Sequence, residues 1–205
     1  MSFLQHIFSV ALAMCLFEQA DVSVQVRRVE PPAHPVNTVA TGLVVVEVDI
    51  DGITGKMQTQ TLYGEPPFLA NALEALDQWQ FVIPPEIDIG TTSVTFLFRS
   101  PAINSVKVGA AAIRPWNFEE DFPALPQEVI DPGYPPTSVA TGAAILEVRV
   151  NASGVVTSTR SVQGVEPLID QAQKAVKNWR FSPARISGMA VPSTAFVVIS
   201  FVLPT

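Results

Sequence analysis

The feature that most constrains this 205-residue chain is a repeat of its own sequence. Val39-Ala40-Thr41-Gly42 returns as Val139-Ala140-Thr141-Gly142, an offset of 100 residues. Without gaps at that offset, Pro35 meets Pro135, Glu47-Val48 meets Glu147-Val148 and Gly64 meets Gly164. Pro67 meets Pro167, Ala72 and Ala75 meet Ala172 and Ala175, and Trp79-Gln80-Phe81 meets Trp179-Arg180-Phe181. The chain has only three tryptophans, so the pairing of two of them is hard to reach by chance. Self-similarity at a fixed spacing reads as one supersecondary unit used twice.

Each unit reads locally in the same order. Val44, Val46, Val48 and Ile50 alternate with Val45, Glu47 and Asp49, the period-2 pattern of a strand with one buried face. Ala144, Leu146, Val148 and Val150 repeat it against Glu147 and Arg149. Asp51-Gly52 and Asn151-Ala152-Ser153-Gly154 supply turn residues, with Gly where φ > 0 is needed. Return strands over Lys56–Leu62 and Val155–Val162 complete two hairpins. Pro67 and Pro167 suit the first turn of a helix, on which Leu69, Ala72, Leu73, Leu76 and Trp79 form one apolar stripe. The second helix offers Leu168, Ile169, Ala172, Ala175, Val176 and Trp179. Beyond Pro84 and Pro183 the chain turns extended again, over Thr92–Phe98 and Thr194–Leu203.

The expected fold class is therefore α+β: two tandem two-layer domains, each a three-stranded antiparallel sheet (β-β-α-β) with one helix packed on it. The domains expected are 31–98 and 131–205, joined by a connector over 99–130. Ser105–Ile113 reads as an extra strand within it. The connector's aromatics, Trp116, Phe118 and Phe122, are too apolar for a solvated linker, which predicts a docked, extended segment.

Residues 1–20 form an apolar N-terminal segment. Phe3–Phe17 is shorter than the roughly 20 apolar residues of a transmembrane helix and matches the apolar stretch of an export signal. Met1–His6 carries no Lys or Arg, however, which leaves a short anchor or an interfacial helix as alternatives.

Composition excludes several classes. A net charge of −7, with Arg27-Arg28 the longest basic cluster, argues against nucleic acid. One cysteine, Cys15, and two histidines, His6 and His34, rule out a Cys/His zinc site and an intrachain disulfide. Asp49-Ile50-Asp51-Gly52 resembles the start of a calcium loop but lacks its later ligands, so a hairpin turn is the better reading. Glu119-Glu120-Asp121 has no nearby partner for acid–base work and reads as a solvated acidic loop. No Gly-x-Ser-x-Gly elbow exists and neither histidine is placed as a base, so no enzyme and no cofactor or metal is expected. Trp79 and Trp179 read as core residues, and Tyr134 equally as a contact or a packing residue.

The second unit resembles the TonB C-terminal domain family along nearly its whole length. The carrying residues are Tyr134-Pro135, Val139-Ala140-Thr141-Gly142, Gly154-Val155, Ala172 and Ala175, and Trp179-Arg180-Phe181-Ser182-Pro183-Ala184. Gly188 and the closing run Phe196–Leu203 complete them. The first unit is more divergent: it has His34-Pro35 for Tyr-Pro, Trp79-Gln80-Phe81-Val82-Ile83-Pro84 for the Trp-Arg-Phe run, and Asp88 where Gly188 would stand.

The resemblance implies an energy-transducer-type, protein-binding module of the Gram-negative cell envelope or periplasm. Family members take up a segment of an outer-membrane TonB-dependent transporter as an added strand, and inner-membrane motor proteins are further partners it implies. An unpaired terminal strand is a template for such addition. Here that edge is expected at Thr194–Leu203, with Tyr134, Pro135, Arg180, Phe196, Val198, Ser200 and Val202 as partner-binding residues. A transducer also needs a spacer across the periplasm. Phe17–Pro35 spans only roughly 60 Å when fully extended. The alternative expectation is a periplasmic scaffold whose sheet edges are covered internally or by oligomerisation.

Overall fold

The computed structural model describes residues 24–36, 38, 40–99, 107–109, 121–136 and 138–203, with backbone only at 107–109. The N-terminal apolar segment, Trp116, Phe118 and Glu119-Glu120 lie outside the described residues. Among the described residues no helix is long and apolar enough to cross a membrane, which does not bear on β-barrels.

Strands β1 (Gln25–Arg28), β2 (Gly42–Asp51) and β3 (Met57–Tyr63) precede helix α1 (Phe68–Leu76). Strands β4 (Gln80–Val82) and β5 (Ile89–Phe98) follow it. In the connector lie β6 (Lys107–Gly109), within the expected extra strand, and β7 (Leu125–Ile130). The second unit contributes β8 (Gly142–Val150), β9 (Val156–Gln163) and α2 (Glu166–Val176). It closes with β10 (Arg180–Ser182), β11 (Ala184–Ile186), β12 (Met189–Val191) and β13 (Ser193–Phe201).

The molecule is α+β with two helices, as expected, but the two units do not form two separate sheets. Their strands make one six-stranded sheet in the order β3-β2-β5-β13-β8-β9. Within each unit the pairing is antiparallel, with Gly42 opposite Phe98 and Gly142 opposite Phe201. At the centre β5 and β13 run parallel, with Phe196 beside Val94 and Ser200 beside Phe98.

Parallel pairing of two like strands turns the second unit over, so each helix covers a different face of the shared sheet. On one face Val44, Val46, Val48 and Ile50 pack with Phe68, Ala72, Leu76 and Trp79. The same cluster takes in Ala143, Ile145, Phe196 and Val198 from the second unit. On the other face Leu146, Val148, Leu168, Ala172, Val176 and Trp179 form a second core that includes Leu43, Val45 and Leu97 of the first unit. Phe122, Ala124, Leu125 and Val129, which lie between the two units in the sequence, close this core. The architecture is three-layered, helix–sheet–helix, and the central strands are buried on both faces.

The same contacts recur at the 100-residue spacing. Trp79 Nε1 donates to the Glu30 carbonyl and Trp179 Nε1 to the Ile130 carbonyl, both at 2.9 Å. Each indole thereby ties the arm before its unit to the end of its helix, satisfying a donor that burial would otherwise strand. Both tryptophans sit just past the last helical turn, because the helices end at Leu76 and Val176. Each arm also pairs with the strand after the helix, β1 with β4 and β7 with β10.

The hairpin turns follow their chemistry with one change. Asp51 Oδ1 accepts from the Ile53 and Thr54 amides, and Asn151 Oδ1 from Ser153 and Val155. These bonds hold the Asp51 carboxyl below its usual value, the Thr54 amide first among them. In the first turn Gly55, at φ 68°, and not Gly52, takes the left-handed conformation. Gly52 donates to the Asp88 carbonyl at 2.7 Å, and a side chain there would meet the Ile87 carbonyl.

Candidate interaction site at the central strand

The edge expected to be open at Thr194–Leu203 is occupied. Strand β13 lies between β8, along its full length, and β5, along Phe196–Ser200. The Arg99 amide extends this side of the ladder by donating to the Ser200 carbonyl at 3.3 Å. Backbone groups that a partner strand would use are already bonded within the chain.

The side chains expected at a partner surface are distributed accordingly. Phe196 and Val198 are fully buried. The Phe196 ring meets Trp79 edge-on at 6.0 Å and Phe81 at 5.8 Å, so it is the second unit's contribution to the first unit's core. Tyr134 is 5% exposed and donates from its hydroxyl to the Ala140 carbonyl at 2.7 Å, which decides between contact and packing in favour of packing. Pro135 is buried and Val202 partly so. Arg180 is exposed, with Nη1 donating to the Trp179 carbonyl at 3.0 Å.

Ser200 belongs to a polar cluster that sequence reasoning did not foresee. Arg99, directly after β5, and Asp131, directly after β7, are both fully buried and bond through Nε and Oδ1 at 3.1 Å. Asp131 Oδ1 also accepts from the Gly133 amide at 3.0 Å. The Arg99 guanidinium lies 5.8 Å from the Tyr134 ring centre and 5.7 Å from that of Phe201, a cation–π arrangement on both. His34, the counterpart of Tyr134, places Nδ1 3.1 Å from Ser200 Oγ and packs edge-on against Phe98. Burial first, and then the Arg99 charge, lower the His34 pKa below its usual value, which favours the neutral ring.

A serine and a histidine at 3.1 Å invite a catalytic reading, which the surroundings do not support. Ser200 sits in a strand paired on both sides and is 4% exposed, leaving no room for a substrate at Oγ. Among the described residues His34 Nε2 has no hydrogen-bond partner and no carboxylate orients the ring, and Asp131 is engaged with Arg99. The calcium-loop carboxylates are likewise committed: Asp49 accepts from Thr91 Oγ1 at 2.6 Å while Asp51 holds its turn. Among the described residues no group of three or more His, Cys, Asp or Glu side chains could hold a metal.

A groove of about 710 Å³ opens at the other end of β13, lined by Ile89, Phe122, Arg185, Ile186 and Val191 with Glu47 and Asp49. It mixes apolar walls with charges of both signs.

What this fold defines is an α+β chain in which one edge of the second unit's strands is filled by a strand of the first. Residues 132–203, within the second unit, match the family model described as Gram-negative bacterial TonB protein C-terminal. No curated protein and no solved structure matches the chain.

Proposed function

We propose that this chain is a non-enzymatic protein-binding component of a TonB-type transport system in the Gram-negative envelope. In it, the strand place that a partner segment would take at the second unit is held permanently by the chain's own β5. The family match over 132–203 supports the transport setting and is in keeping with a periplasmic location. The observation that carries the reading is the parallel β5–β13 pair, five residues long and continued by the Arg99 amide. Strand addition by an outside segment at β13 would have to break that ladder and uncover Phe196 and Val198. The first unit then acts as a built-in occupant of the second unit's edge, which is the scaffold alternative applied to this one edge. Partner contacts fall on the remaining surface, where Arg180 is the accessible member of the residues expected to bind.

The test is a titration of the chain from Asp21 onward with short extended peptides from outer-membrane transporters, followed by amide NMR. The expected result is saturable binding whose shifts leave Phe196–Ser200 unchanged. Shifts concentrated on Phe196–Ser200 and Tyr134, with loss of the β5 pairing, would restore the open-edge reading. No saturable binding to any such peptide would remove the transporter from the proposal and leave a structural role.

A further inference from the structure

We propose that the outer edge of β3 pairs with the same edge of a second copy of this chain, joining two six-stranded sheets into one. This goes beyond the TonB-type reading and does not depend on it. Closing the centre of the sheet leaves two outer edges, β3 and β9. Proteins protect such edges with charges, prolines and bulges, since unpaired amides and carbonyls template further pairing.

The two edges differ in this respect. Strand β9 carries Arg160 at its middle, ion-paired to Glu147 of the neighbouring strand. Its pairing with β8 is also broken at two places, between Ile145 and Leu146 and between Arg149 and Val150. Strand β3 reads Met-Gln-Thr-Gln-Thr-Leu-Tyr, with no charge and no proline. It has a single irregularity at its far end, leaving Met57–Thr61 as a regular run of five residues. Four of those five residues are exposed, and among the described residues β3 pairs only with β2. Every protective device present on β9 is absent from this run.

The sequence of the run also fits itself. In an antiparallel pair around a two-fold axis at Thr59, that threonine faces its own copy. Gln58 then faces the partner's Gln60, and Met57 the partner's Thr61. Threonine pairs and amide-bearing glutamine pairs are favourable across strands, and no charge meets a like charge in this register. The contact is short, which places it among weak, concentration-dependent interfaces. Each copy carries −7, so the two repel at long range and salt should strengthen the association.

The experiment is sedimentation equilibrium of the full chain from micromolar to millimolar concentration at two salt concentrations, with amide exchange recorded at both ends of the range. The average mass is expected to rise from 22.1 kDa toward a dimer, more readily in high salt, with Met57–Thr61 amides gaining protection as it does. Thr59→Lys sets two ammonium groups face to face and should weaken the dimer by about two- to fivefold at the lower salt concentration. Gln60→Lys should act in the same direction, and both positions are solvent-exposed, so the circular dichroism should stay unchanged. Arg160→Thr, on the other edge, should leave the association as it was. A chain that stays monomeric at millimolar concentration overturns the proposal. So does a dimer that survives both lysine variants with Met57–Thr61 unprotected.

Discussion

Replacing Asp131 with alanine is expected to destabilise the protein by about 3–5 kcal/mol, the usual cost of removing one partner from a buried ion pair. Arg99 and Asp131 are 0% and 1% exposed, so water cannot replace the lost carboxylate without opening the core. The guanidinium would keep its position over Tyr134 and Phe201 while losing the carboxylate that accepts from its Nε. The Gly133 amide loses its acceptor in the same substitution. In a chain of this length the change corresponds to a fall in melting temperature of roughly 10 °C. Asp131→Asn keeps an acceptor for both donors and should cost less. Thermal unfolding of the two variants against the parent checks the order, and equal melting temperatures for all three would show that the pair adds nothing.

The second large effect concerns the second unit on its own. A chain starting at residue 121 keeps β7, α2 and the strands β8–β13, with Trp179 and its own helix-side core. It loses the strand beside β13 and the cover over Ala143, Ile145, Phe196 and Val198. Exposing the three larger of these side chains forfeits about 1.5–3 kcal/mol each. The bare β13 ladder, apolar and nine residues long, then becomes a template for pairing between molecules. The excised unit should therefore be recovered as a dimer or aggregate. A monodisperse, cooperatively folding monomer in size-exclusion chromatography would mean that the units are independent domains.

These two effects mark where the sequence was legible and where it was not. The hairpins, both helices and the indole positions follow from alternation, turn residues and one apolar stripe, all of which are local signals. The merging of the units is non-local. Its trace lies in strands that are apolar at consecutive positions: Leu43-Val44-Val45-Val46, Phe96-Leu97-Phe98, Ala143-Ala144-Ile145-Leu146 and Phe196-Val197-Val198-Ile199. A sheet with one wet face has no use for such runs, which belong to strands covered on both sides. Reading Val44, Val46 and Val48 as the buried face captured one layer and passed over Val45, which lies in the other core.

The expectation of an open edge at Thr194–Leu203 arose for the same reason. The closing strand of each unit looks open when that unit is considered alone. Phe196 and Val198 took the role of surface residues only because the strand that covers them lies about 100 residues earlier in the chain. The Arg99–Asp131 pair had a weak signature, a charge directly following each of two strands that end in two apolar residues, and nothing in the sequence indicated that these two ends meet. His34 and Ser200 are separated by 166 positions and come together only through the shared sheet.

Native-state hydrogen exchange, residue by residue, tests most directly whether β5 permanently completes the edge of β13. The amides of Val94–Phe98 and Phe196–Ser200 should be the slowest in the molecule and should open together, in the same global event, across a denaturant series. If the β5 amides opened in a separate, lower-energy step that left β13 unprotected on that side, the edge would be available to a partner, contradicting the account.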